Sequence, residues 1–335
     1  MKNTAKQTFK VLLSLLLGGA ILYWMYRGFD FQQIKHVLME EMDWTWMLLS
    51  FPFGILAQMF RGWRWKQTLE PIEETSRTSA RIHSIFLSYA ISLIIPRIGE
   101  FARCAVLNRY DQVSFPKALG TVVTERIIDS ILVLLITAIT LITQVKIFDT
   151  FFDKTGTSMD TFFSNFSTTG YIVTGICGVA VLILFYFLIK KLSIYNKVKT
   201  TLHEIGQGIV SLKKVNNIPL FIFFTLAIWG SYFLHYYLTF FCFEATSGLG
   251  LSCAMVTFIV GSIAVVVPTP NGAGPWHFAV KTMLILYGVA EMNALYFVLI
   301  VHFVQTLLVA ILGIYAWIAL SLTKRKLKPA KEGTL

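Results

Sequence analysis

From Asn293 to Ser321 the chain runs through 29 residues without an Asp, Glu, Lys or Arg. About 20 apolar residues carry a helix across the hydrocarbon core of a bilayer. Only a helix or a closed barrel satisfies its own backbone there. Comparable runs lie near 9–26, 44–62, 118–144, 170–190 and 218–243, so the sequence reads as a polytopic bundle. Composition agrees: 56% of the 335 residues are hydrophobic, against about 45–50% in soluble domains. The run Phe9 to Tyr26 follows Lys2, Lys6 and Lys10 in the manner of a signal peptide. No small-residue cleavage site follows it and further spans do, which predicts a retained helix. The four cysteines lie in or beside apolar runs with no metal-ligand spacing, as buried thiols do.

The net charge of +11 is distributed in blocks. Lys and Arg number 3 in residues 1–10, 5 in 61–81, 4 in 97–117, 6 in 190–217 and 5 in 324–331, which is 23 of 29. The connections 27–43 and 145–169 are net acidic. Such alternation marks membrane topology and attraction to anionic lipid, and places both termini in the cytoplasm. Nucleic-acid binding is excluded on this distribution. Trp44 and Trp46, with Trp63 and Trp65, suit aromatic belts at the two ends of the second span.

Two apolar segments do not fit this count as spans. The run 82–96 lies between two basic blocks, so it enters and leaves on the same side: a re-entrant hairpin, 82–110, tipped at Pro96-Arg97-Ile98-Gly99. The segment 251–289 poses the same problem from outside, with its tip at PTPNGAGP, 268–275. Two short full crossings there would give the same tail orientation. Proline and glycine suit chain reversals, and irregular backbone at membrane depth belongs inside protein or against a water-filled cavity. The predicted fold is therefore an all-α membrane protein with about six full spans and two re-entrant hairpins. A first repeat, 1–144, is followed by an inverted second, 170–321, the plan of many secondary transporters. Residues 190–217 read as an amphipathic basic helix on the inner leaflet, and 322–335 as a cytoplasmic basic tail.

In this plan both returning half-helices aim their N-termini at mid-membrane, where their partial positive charge favours an anion such as phosphate. Arg97 adds a forked guanidinium. The candidate substrate-binding set is Arg97, Gly99, Glu100 and Arg103 on the first hairpin, Glu125, Arg126 and Asp129 on the following span, and Pro268, Asn271, Gly272, Gly274 and His277 on the second. Ionisable groups in a membrane are costly, about 2.5–3.5 kcal/mol each on insertion scales, and usually functional when deep. The alternative is mutual pairing that only pins hairpin to span, or a position for 125–129 at the interface. His302, alone on the last span, reads as a core residue. No metal or cofactor is expected, and no Walker A, GxSxG or HExxH motif occurs.

PRIGEFAR (96–103), TERIID (124–129) and PTPNGAG (268–274) together resemble the flippase-like transmembrane region of lysylphosphatidylglycerol synthase, found in bacterial and archaeal cytoplasmic membranes. The resemblance implies a bundle that moves lipids between leaflets: an anionic or zwitterionic phospholipid, or a polyprenyl-phosphate carrier. The soluble aminoacyltransferase domain of the synthase has no counterpart in these residues, so lysyl transfer is not expected. Two other readings stay open. One is a membrane enzyme of lipid modification, such as a polyprenyl-dependent glycosyltransferase or a phosphatidylglycerol lysyltransferase relative; the other is a non-catalytic scaffold for a separately encoded synthase.

Overall fold

The computed structural model describes residues 16–27 (17 excepted), 31–144 and 215–324. Every regular element among them is helical. Helix α1 covers 18–26, and α2, Phe31–His36, runs on as a π-helical turn, Val37–Glu41. Then come α3 (Trp44–Leu69), α4 (Thr78–Ile94), α5 (Gly99–Asp111) and α6 (Phe115–Thr143). The second part holds α7 (Ile218–Tyr237, continued to Cys242 as a 3-10 turn), α8 (Gly250–Ala264), α9 (Pro275–Leu286) and α10 (Glu291–Leu322). Among the described residues three helices, Phe115–Thr143, Ile218–Cys242 and Glu291–Leu322, are long and apolar enough to cross a membrane. The expected span 170–190, most of the basic helix 190–217 and most of the tail lie outside the described residues.

Local chemistry sets the helix ends. Asp43 caps α3 by accepting from Thr45 N at 2.9 Å, and Asn217 caps α7 through Leu220 N at 3.0 Å, with Pro219 in the first turn. The second span was expected to end near residue 62, yet α3 continues to Leu69. Its extension is held by side chains that had looked like loop charges. Arg61 and Arg64 turn inward, and Arg81 donates back to Gly62 O (3.2 Å) and to Ser76 O. Trp65, expected in an aromatic belt, is fully buried and donates to Thr121 Oγ1 at 2.8 Å.

Helix α3 packs along α7, and α4 along α10. Between helices in lipid the attraction is close van der Waals contact rather than the hydrophobic effect, which favours small residues at crossings. A Cβ on Gly313 of α10 would lie 2.1 Å from the Ala90 Cβ of α4, so the two backbones touch there. Two apolar cores result. Trp65, Ile85, Cys104, Leu107 and Val122 join α3, α4, α5 and α6. Tyr236, Phe240, Val280, Leu284 and Phe297 join α7, α9 and α10.

Helices α4 and α5 form one antiparallel hairpin, α8 and α9 another. Their open ends lie at opposite ends of the bundle. Beside the base of the first, Arg77 joins Asp111 (2.7 Å) and the carbonyl of Lys324 (3.0 Å). At the base of the second, Tyr287 reaches Gln144 at the far end of α6 (3.4 Å). The two tips meet in the middle, where Arg97 Nη2 donates to Val266 O at 2.7 Å.

Candidate functional site

Between the tips lies a cavity of about 200 Å3. The first hairpin supplies Ser88, Tyr89, Ser92, Pro96, Arg97, Glu100 and Arg103. The second supplies Val265, Pro268, Thr269, Asn271 and Gly272, while Arg61 of α3 and Arg126 of α6 close the sides. Four guanidiniums thus face one carboxylate.

The backbone at both tips is specialised. Arg97 sits at φ 64°, a left-handed conformation unusual for a residue with a Cβ, and is exposed. Gly99 starts the return because nothing larger fits: its Cβ would stand 2.0 Å from Ser88 O. At the second tip Asn271, Gly272 and Gly274 have φ of 51°, 72° and 90°. Asn271 is anchored by donating Nδ2 to Thr306 Oγ1 at 2.6 Å.

Behind the cavity the charges form a buried network. Asp129 accepts from Arg61 Nη1 at 2.7 Å on one oxygen and ion-pairs with Arg64 Nη1 at 2.8 Å on the other, while Arg64 Nη1 donates to Thr225 Oγ1 at 3.1 Å. Arg103 Nη2 bonds Glu125 Oε2 at 2.8 Å and lies over the Trp65 ring at 4.6 Å. Arg126 bridges the groups, at 2.9 Å from Glu100 and 3.7 Å from Asp129. Glu125 is 0% exposed and Asp129 4%, so this stretch lies inside the protein. Across cavity and network five arginines meet three carboxylates, a formal excess of two positive charges. Not all their polar atoms are partnered: Arg103 Nη1, Arg64 Nη2 and the Thr269 hydroxyl among donors, and Glu125 Oε1 and Asp129 Oδ1 among acceptors, are buried without a hydrogen-bond partner. Groups left so are costly unless something supplies partners.

Of the candidate residues, Arg97, Glu100, Arg103, Arg126, Pro268, Asn271 and Gly272 line the cavity. Gly99 shapes the first tip, and Glu125 and Asp129 hold the arginines from behind. Gly274 and His277 sit at the base of the second tip, where Gly274 N donates to His277 Nδ1 at 3.3 Å. Arg97 is bonded to a carbonyl rather than to an acid. Sequence reasoning missed Arg61, Arg64, Thr269 and the serines. A signal was present: Ser84, Ser88 and Ser92 recur every fourth residue through an apolar run, a polar stripe leading to Arg97. His302, expected as an isolated core residue, packs against His277 with ring centroids 4.4 Å apart and planes tilted by 55°.

The family model described as the lysylphosphatidylglycerol synthase TM region matches residues 11–313, and the chain belongs to that family. No curated protein and no solved structure matches it.

Proposed function

We propose that this member of the lysylphosphatidylglycerol synthase transmembrane-region family translocates a phosphate-bearing lipid between leaflets. The observation that carries the reading is the cavity where the two hairpin tips meet, with four arginines, one carboxylate and unused buried donors. Of the unpartnered donors, Arg103 Nη1 and the Thr269 hydroxyl belong to cavity-lining residues, and a phosphodiester offers acceptor oxygens in the planar geometry a guanidinium prefers. The rims suit the rest of a lipid. Ile94 and Phe101 beside the first tip are 71% and 51% exposed, and Val266 on the second is 64% exposed, so acyl chains keep an apolar path while the headgroup enters.

We take the hairpins as re-entrant and the halves as an inverted repeat. Packing supports this: exchanging the halves maps α3 against α7 onto itself, and α4 against α10 onto α8 against α6. Alternating access then follows from rocking one half on the other about a fixed site. The site would serve a bacterial or archaeal cytoplasmic membrane, with both termini inside, a phospholipid or polyprenyl-phosphate as cargo and a separately encoded synthase as its supplier.

The test is Arg97→Lys and Arg97→Ala in reconstituted vesicles bearing fluorescent phosphatidylglycerol. Both should lose translocation while melting within a few degrees of the parent, because an exposed arginine on a carbonyl contributes little to folding. Lysine fails because it lacks the planar fork. Parental transport in a stable Arg97→Ala protein overturns the reading.

A further inference from the structure

At the base of the second tip two histidine rings meet at a tilt, and each makes a hydrogen bond to the tip backbone. His302 Nε2 lies 3.1 Å from the Asn271 carbonyl, which only accepts, so Nε2 carries a hydrogen and Nδ1 is the nitrogen left to gain or lose one. His277 Nδ1 receives the Gly274 amide at 3.3 Å, so that nitrogen is bare and its proton is on Nε2. His277 is therefore neutral in this arrangement, and its ring lies 4.4 Å from that of His302, centroid to centroid, at an interplanar angle of 55°. His277 is 3% exposed.

What surrounds the pair decides what a proton would do there. From α1, Tyr26 meets the His277 ring edge-on at 6.2 Å. Trp276 packs against both imidazoles, and Tyr236 of α7 backs Trp276. His235 of α7 is occupied with the Ser50 carbonyl. Across the cavity the first hairpin presents Arg97, which reaches Val266, with Glu100 and Arg103, and α3 and α6 add Arg61 and Arg126; on α9 itself Lys281 is paired with Glu291. Among the described residues no carboxylate stands within ion-pair distance of either histidine. A proton on this pair has no counter-charge from these residues.

We propose that the His277–His302 pair is a protonation site coupled to the headgroup, so that a proton and the anion occupy the protein together. This rests on the cavity reading above. Asn271 is the link: its carbonyl holds His302 and the residue lines the cavity. The phosphate supplies the missing counter-charge, and a proton on the pair adds a positive charge behind a cavity that already favours anions. Linkage makes the effect reciprocal: the anion raises proton affinity as much as the proton raises anion affinity. Protonating His277 Nδ1 also removes the acceptor of the Gly274 amide, which loosens the start of α9 and the tip it carries. The coupling ion of the transporter is then the proton, moving in the same direction as the lipid.

The full-length protein in phosphatidylcholine nanodiscs, titrated with short-chain phosphatidylglycerol between about pH 5 and about pH 8, tests this. Affinity should rise as pH falls, by up to about tenfold per pH unit while one proton is taken up. His302→Gln retains a donor for the Asn271 carbonyl but takes no proton, and His277→Asn retains an acceptor for Gly274. Each should bind with an affinity that no longer varies with pH. In vesicles with a trapped pH dye, lipid movement by the parent should acidify the lumen on the side the lipid reaches, and movement by His302→Gln should not. A parent affinity flat across the range, or variants that keep the parent's slope, overturns the coupling and leaves the cavity reading standing. No binding at any pH sinks the cavity reading and the coupling with it.

Discussion

Asp129 is the residue on which the charge network turns. Two buried guanidiniums share its oxygens, and a third lies 3.7 Å away. Breaking a buried ion pair by removing one partner costs about 3–5 kcal/mol, since the other charge stays behind without compensation. Asp129→Asn strands two such charges and should lower the melting temperature by many degrees, with loss of folded protein from detergent extracts. Glu100→Gln is the contrast. Its pair with Arg126 is 38% exposed on both sides, where an ion pair is worth about 0–1 kcal/mol. That variant should fold normally, and equal melting temperatures for the two variants would defeat the distinction. The difference also marks what was legible. Arg97, Glu100, Arg103 and Arg126 stood out as ionisable groups beside or inside apolar runs. Arg61 and Arg64 did not, because they follow the apolar part of α3 among other basic residues and have the composition of a topology signal. Only their inward rotation toward Asp129 separates the two meanings, and that rotation depends on a partner 65 and 68 positions away in the chain.

At the scale of elements, the breaks between paired helices were readable because Pro96 with Gly99, and the Pro268 to Pro275 stretch, interrupt apolar runs; the side of return is the part that cysteine labelling tests. The ends of α3 and α4 were not, because three of the five basic residues assigned to their connection, Arg61, Arg64 and Arg81, are buried. What joins the first hairpin to the second half is a crossing of backbones. At Gly313 an added Cβ meets the Ala90 Cβ at 2.1 Å, a distance that forces α4 and α10 apart. Overpacking of this kind costs about 1–3 kcal/mol. Gly313→Ala should therefore reduce thermal stability, and combining it with Ala90→Gly should restore most of the loss, because the clash is between those two carbons. No recovery in the double variant would mean that Gly313 matters for backbone freedom rather than for contact. Gly99 offers no such rescue, since its obstacle is the Ser88 carbonyl.

The whole molecule has two unlike ends. One gathers Arg77, Lys117 and the α10 terminus at Lys324 around Asp111 and Glu74. The other gathers Asp43 beside Cys242, and Glu291 with Lys281. In the proposed orientation the basic first end is cytoplasmic, and the proposed re-entrant hairpins open to opposite sides of the membrane with the cavity between them. Cys104, Cys242 and Cys253 are buried, so these native thiols add little background to labelling from either side. Single cysteines at Glu73 and Gln112 flank the first hairpin, and at Ser247 and Asn293 the second. A membrane-impermeant maleimide should modify Glu73→Cys and Gln112→Cys only from the cytoplasm, and Ser247→Cys and Asn293→Cys only from outside. The argument needs both members of a pair to agree. If Glu73→Cys and Gln112→Cys react from opposite faces, α4 and α5 amount to a crossing and the tip is not a return. If all four react from one face, the two hairpins enter from the same side, the halves are not inverted, and a site alternately open to each leaflet loses its structural basis.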